Sequence, residues 1–120
     1  MTNKQYIEEA LVGWEQNFHK GQLTLWIFLS LKESAKSLEE IIIFIEELTA
    51  GVIWFDEQSI YRALRKYYET EWIDFTLHDS PKGPPRKYYQ LTPMGQSLLE
   101  LFVQRNITIF HSAAFKKLLK

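Results

Sequence analysis

Apolar residues recur along this chain at two spacings, and the spacings divide it into elements. Ile7, Leu11, Trp14 and Phe18 fall at i, i+4, i+7 and i+11, with Tyr6 and Ala10 widening the stripe. Lys4, Glu8, Glu9 and Glu15 lie off it, so residues 3–19 read as an amphipathic helix. Gly21 interrupts the pattern. From Leu23 to Leu31 the run leaves little polar face, which predicts a helix in the middle of the core. Ser37 is suited to cap a third helix, Leu38 to Leu48, with Glu39 and Glu40 in its first turn. Thr49-Ala50-Gly51 ends that helix, and Gly51 suits a left-handed C-terminal cap. Asp56 caps the next segment, where Ile60, Leu64, Tyr67 and Tyr68 make one apolar stripe. Its other side carries Gln58, Ser59, Arg62, Arg65 and Lys66. Ile73, Phe75 and Leu77 then alternate with polar residues, the period of a half-buried strand. His78 to Pro85 is a turn rich in Pro and Gly, and Arg86 to Leu91 returns as a second strand. Thr92 caps a last helix with Pro93 at its first position, where the missing N–H costs nothing. Met94, Leu98, Leu101, Phe102 and Ile109 continue its stripe. Past Asn106 the signal is mixed: Ile107 to Phe110 favours strand and Ala113 to Leu118 favours helix. Either one long helix or a helix broken near Asn106 fits.

Helix, hairpin and basic hairpin tip in that order predict a winged helix-turn-helix. The fold class is mainly α with a small β-hairpin wing (α+β), flanked by N-terminal and C-terminal dimerisation helices. Residues 1–92 form the winged domain with its N-terminal helical extension, and residues 93–120 form the C-terminal dimerisation helix. Val52 to Phe55 is short and extended, and is expected to add a third strand to the wing sheet. An amphipathic helix at a chain end is not stable alone, so residues 3–19 are expected to pack on the C-terminal helix, partly across a dimer interface. The residues expected there are Leu11, Trp14, Phe18, Leu98, Phe102, Ile109, Phe110 and Phe115. The competing reading packs the tail on its own subunit.

Composition narrows the class. The chain has 120 residues, 46% of them hydrophobic, so it holds one domain's worth of core and lacks the composition of disorder. It has no cysteine, which excludes disulfides and thiolate metal sites and fits a cytoplasmic location. The first ten residues are polar and acidic, unlike a signal peptide, and the longest apolar runs are too short to cross a bilayer. No membrane contact is expected. A net charge of −1 argues against indiscriminate coating of nucleic acid. Its distribution matters more. Between Tyr61 and Gln90, Arg62, Arg65, Lys66, Lys82, Arg86 and Lys87 face Glu69, Glu71, Asp74 and Asp79. Between Ser37 and Glu57, six acids stand with no Lys or Arg. A polarised molecule follows, with a basic face on the fourth helix and the wing; a solvated face of mixed charge is the plainer alternative.

That face has the chemistry to read duplex DNA. An α-helix fits the major groove, where Gln pairs with adenine and Arg with guanine through two bonds each. Residues 57–69 would present Gln58, Ser59, Arg62, Arg65 and Lys66. Tyr61 sits at the boundary, either burying its ring while its hydroxyl reaches a phosphate or serving as a core aromatic. In the wing, Pro84-Pro85 stiffens the approach to Arg86. Lys82, Arg86, Lys87 and Tyr88 can meet phosphates, or one cation can enter the minor groove. Nothing points to catalysis. His19, His78 and His111 are scattered, His78 with Asp74 and Asp79 matches no metal-binding spacing, and no phosphate loop or nucleophile triad is present. Neither a metal nor a cofactor is expected.

Ser59-Ile60-Tyr61-Arg62-Ala63-Leu64, Gly83-Pro84-Pro85-Arg86-Lys87-Tyr88-Tyr89 and Leu91-Thr92-Pro93-Met94-Gly95 resemble the PadR family of bacterial transcriptional regulators. The resemblance runs from about Gly21 to Phe102. It implies a repressor that binds palindromic operator DNA as a homodimer, and a DNA-contacting role for Tyr61. The segment before Gly21 is an extension relative to the shortest members. The Gly-Tyr pair that many members carry at the start of the third helix is absent here. Some members respond to small aromatic effectors near the dimer interface. Trp14 and Trp26 are the indoles on which a flat ligand could stack, unless both are simply packed. The competing function is a winged helix used for protein contact alone. The acidic helix Leu38 to Leu48 favours it, and Arg62, Arg65, Lys66, Arg86 and Lys87 argue against it.

Overall fold

Side-chain caps start most of the helices of this chain; the second helix, Leu23–Glu33, begins without one. In the computed structural model, which describes residues 2–120, Ser37 accepts the Glu40 N–H while the Glu40 carboxylate accepts the Ser37 N–H. Asp56 accepts the Ser59 N–H at 2.7 Å, and Thr92 accepts the Gly95 N–H at 3.1 Å with Pro93 following it. Each cap satisfies a donor that the first helical turn leaves without an intrahelical partner. The elements are α1 (Asn3–Lys20), α2 (Leu23–Glu33), α3 (Leu38–Leu48), α4 (Glu57–Glu69), β1 (Ile73–His78), β2 (Arg86–Leu91), α5 (Pro93–Asn106), a 3-10 turn (Thr108–His111) and α6 (Ala113–Leu118). The fold is therefore mainly α with one antiparallel hairpin. A break follows Asn106, and Ile107 to Phe110 turns rather than extends.

α2 lies at the centre of the core, as its composition predicts. Ile27, Phe28 and Leu31 are buried against Ile41 and Ile45 of α3, Ile60, Leu64 and Tyr67 of α4, Ile73 and Tyr89 of the hairpin, and Leu99 of α5. Burial of a side chain of this size contributes roughly 1.5–3 kcal/mol. Phe28 meets the edge of Tyr67 at 5.2 Å, and Tyr67 stacks on Trp72 at 5.7 Å, so aromatic packing fixes α4 to α2. The α4 stripe is narrower than the spacing predicts. Tyr68 is half exposed and lies on Phe75 at 4.9 Å, outside the core.

In the hairpin, Ile73 pairs with Leu91 and His78 with Arg86. Gly83 turns the connection with a φ of +101°, where a Cβ would be strained. The third-strand expectation for Val52 to Phe55 is not met. That segment stays irregular, and Lys36 takes the place beside β2 through a two-way backbone pair with Tyr89, at 3.0 and 2.8 Å. Ile53 is anchored instead by the Thr49 hydroxyl, which accepts the Ile53 N–H at 3.2 Å and turns the chain back on α3. The left-handed turn after α3 begins one residue earlier than expected: Ala50 and Gly51 both have positive φ. The Gly51 N–H reaches the Glu46 carbonyl at 2.9 Å.

The neck of the hairpin is closed by Thr92. Its N–H donates to the Trp72 carbonyl at 3.1 Å, and its hydroxyl lies 2.7 Å from the Glu71 carbonyl and 3.0 Å from that of Trp72. Gly95 sits directly over the same Trp72 carbonyl.

The ends of the chain stand away from this body. α1 buries no residue, and Tyr6, Ile7, Leu11, Trp14 and Phe18 all face solvent in the single chain. The radius of gyration is 17.4 Å, against about 14 Å for a compact domain of this length.

Candidate nucleic-acid interface

α4 presents one outward row, Gln58, Arg62, Arg65 and Glu69, spaced at i, i+4, i+7 and i+11 opposite the buried Ile60, Leu64 and Tyr67. All four are exposed. Arg65 reaches Glu69 at 3.5 Å, an exposed pair that holds it only loosely. Ser59 is less available, because its hydroxyl donates to the Asp56 carboxylate at 2.9 Å as part of the helix cap. The Ser59 backbone N–H, then its hydroxyl, hold the Asp56 carboxyl below the usual carboxylate range, and the nearby Arg62 charge adds to this. The cap is thus a fixed anion beside the first outward arginine.

Lys66 is exposed on the other flank, where it borders a recess of about 570 Å³ with Thr24, Tyr67, Trp72, Leu98 and Phe102. It stands nearer α5 than the hairpin. Tyr67 and Thr24, both lining that recess, share a hydroxyl–hydroxyl hydrogen bond, and burial raises the Tyr67 phenol above its usual range. Trp14 and Trp26 are not among the lining residues. Trp14 is exposed on α1, and the Trp26 indole N–H donates to the Gln22 side chain at 2.9 Å.

The other flank of α4 faces the hairpin. Tyr61 is 46% exposed and stands between the first turn of α3 and the wing, so it is a boundary residue and not a core one. It borders two shallow recesses. One, about 290 Å³, also takes Arg65, Tyr68, Phe75, Lys87 and Tyr89. The other, about 250 Å³, takes Ser37, Glu39, Pro85, Arg86, Lys87 and Tyr89. The Lys87 ammonium lies over the Phe75 ring, 4.8 Å from its centroid, which directs its charge toward this saddle. Arg86 reaches Glu39 at 3.7 Å. Tyr88 packs its ring on His78 at 4.3 Å, and Lys82 is exposed in the turn. Burial raises the Tyr89 phenol, and its neighbour Tyr61 raises it further.

The fold therefore brings Tyr61, Arg65, Arg86 and Lys87 to one saddle between helix and wing, while Arg62 stands on the outward row beside it, Lys82 is exposed in the turn and Lys66 borders the recess toward α5. Glu39, Tyr68 and Tyr89 join that saddle, and sequence reasoning missed them there. Tyr68 carries the pattern of a core residue, Tyr89 only that of a position in the second strand, and Glu39 that of a first-turn acid. Nothing in their spacing reports that α3 starts beside the wing. Among the described residues, Arg62, Lys66, Lys82 and Lys87 have no carboxylate within ion-pair distance. No group of three His, Asp or Glu side chains converges among them, and no helix is long and apolar enough to cross a membrane.

Residues 28–101 match the model of the transcriptional regulator PadR-like family. Among solved structures, the chain is similar to a PadR-like transcriptional regulator of Bacillus cereus, at 30% identity with a TM-score of 0.66, covering 84% of this chain and 94% of that one. A PadR-like transcription factor of Bacteroides fragilis is 29% identical with a TM-score of 0.60, covering 82% and 97%. Bacillus subtilis PadR, solved in complex with operator DNA, shares the fold at 22% identity and a TM-score of 0.62, covering 68% of this chain and 46% of that one. No curated protein matches the sequence.

Proposed function

This chain belongs to the PadR-like family of transcriptional regulators, and on that premise we propose that it is a repressor that binds palindromic operator DNA as a homodimer. α4 enters the major groove with Gln58, Arg62 and Arg65 toward the bases, and Lys66 and Tyr61 flank it. The hairpin follows the adjoining backbone with Lys82, Arg86, Lys87 and Tyr88. The observation that carries this reading is the saddle itself: Arg65 of the exposed helix row and Arg86 and Lys87 of the hairpin border two recesses that share Tyr61.

The dimer reading draws on the unpartnered apolar faces. Leu11, Trp14 and Phe18 of α1 are at least half exposed, and Leu98, Phe102, Ile109 and Phe110 are exposed beyond the core. Phe115 packs edge-on against Phe110 at 5.0 Å, extending that face. Exposed apolar area on this scale marks a protein contact. A two-fold dimer would pair two α4 helices with half-sites about one helical turn apart. A small aromatic effector, where one acts, fits the recess between α2, α4 and α5, whose lining touches both the reading helix and the proposed dimer helix. The competing reading, protein contact alone, draws on exposed Leu48, Val52 and Trp54, but gives the unpaired Arg62, Lys82 and Lys87 no task.

Selection of bound duplexes from a random pool tests the proposal: a palindrome with half-sites about 10 base pairs apart is expected, and a pool with no enriched sequence overturns it. On the selected operator, Arg62→Ala is expected to lose about tenfold or more in affinity while non-operator binding changes little. Lys87→Ala should weaken both alike. Equal losses for the two variants would remove Arg62 from base reading.

A further inference from the structure

We propose that Glu39 is an intramolecular counter-ion of the wing: its carboxylate occupies Arg86, so an entering phosphodiester must displace it, and DNA affinity is held below what the cations alone would give. The inference rests on the DNA-binding reading above and adds a residue that opposes it.

The geometry is local. Glu39 Oε2 lies 3.7 Å from an Arg86 guanidinium nitrogen, across the recess that Tyr61, Pro85 and Lys87 also line. Arg86 follows the Pro84-Pro85 pair and enters the ladder opposite His78, so its backbone is held where Glu39 can reach it. The neighbouring Glu40 is already committed, accepting the Ser37 N–H at 3.0 Å. Glu39 has no such task among the described residues; the wing arginine is its one ion-pair partner there. Both side chains are more than half exposed. A pair of that kind is weak and exchanges readily, so it cannot lock the wing. It can still compete for the arginine, and the carboxylate repels a phosphate that approaches the same saddle. An exposed charge pair of this kind changes an equilibrium by about two- to fivefold, less as salt screens it.

Four variants of this chain test this by fluorescence anisotropy with duplex DNA at low and moderate salt. Glu39→Gln is expected to bind about two- to fivefold more tightly, with a gain that shrinks as salt rises. Glu47→Gln removes the same charge at the far end of α3 and is expected to bind like the parent. In the Arg86→Ala background, the Glu39→Gln gain is expected to be smaller than in the parent. Thermal melts of each variant establish that the fold is kept. Unchanged or weaker binding by Glu39→Gln overturns the proposal, as does an equal gain from Glu47→Gln, which would make the effect one of net charge. A parent protein that binds no duplex even at low salt would overturn the DNA-binding reading and this inference together; a parent that binds while Glu39→Gln gains nothing overturns this inference alone.

Discussion

Gly95→Ala is expected to lose about 3 kcal/mol or more of folding stability, with a melting midpoint lower by about 10 °C or more. On helix propensity alone the sign would be the reverse, since alanine in a helix is better than glycine by about 1 kcal/mol. The neighbours decide it. A Cβ built on Gly95 would overlap the Trp72 carbonyl oxygen, approach its carbon at 3.1 Å and reach the Leu91 side chain at 3.3 Å. The carbonyl is backbone and cannot rotate aside. It also accepts the Thr92 N–H, so moving it breaks the neck of the hairpin. Gly21→Ala is the matched comparison: no atom lies within 4 Å of the added carbon and its φ is −83°, so little change is expected. Melts followed by circular dichroism compare the two, and a Gly95→Ala protein that melts with its parent would disprove this packing.

Binding to operator DNA is expected to fall by about 10³-fold or more between roughly 50 and 200 mM salt, if the dimer neutralises about six to ten phosphates. Each subunit of the proposed dimer would offer Arg62, Arg65, Lys66, Lys82, Arg86 and Lys87 on α4 and the wing. Two subunits reach that range even after Arg65 and Arg86 are discounted for their exposed acid partners. Phosphate contacts release condensed counterions, and the slope of affinity against salt counts them. A titration that stays flat would exclude cation-driven docking, whatever the operator sequence.

The parts of this fold that could be read from sequence are those set by residues a few positions apart. Ser37, Asp56 and Thr92 cap helices because their side chains reach backbone N–H groups within one turn. The two hairpin strands follow from alternation at Ile73, Phe75 and Leu77 and from the Pro- and Gly-rich turn before Arg86. The parts that could not be read depend on contacts between distant segments. Lys36 pairs with Tyr89 because the end of α2 happens to run beside β2, and no local pattern distinguishes it from Val52 to Phe55. Tyr68 and Tyr67 have the same side-chain type at adjacent positions, yet only Tyr67 meets Phe28 and Trp72. The site follows the same division. Arg62 and Lys87 were legible as exposed cations on predicted elements. The acid that faces Arg86 was not, because the angle between α3 and the hairpin is set by the whole core.

The hairpin is closed at its neck by Thr92 on Trp72 and fastened to the body by Lys36 on Tyr89, and the segment from Asp79 to Pro85 hangs beyond both. A few residues could therefore be added or removed at that tip without disturbing the core. Reach toward DNA and soundness of the fold are separate variables in this chain, so lineages can retune the first while leaving the second untouched.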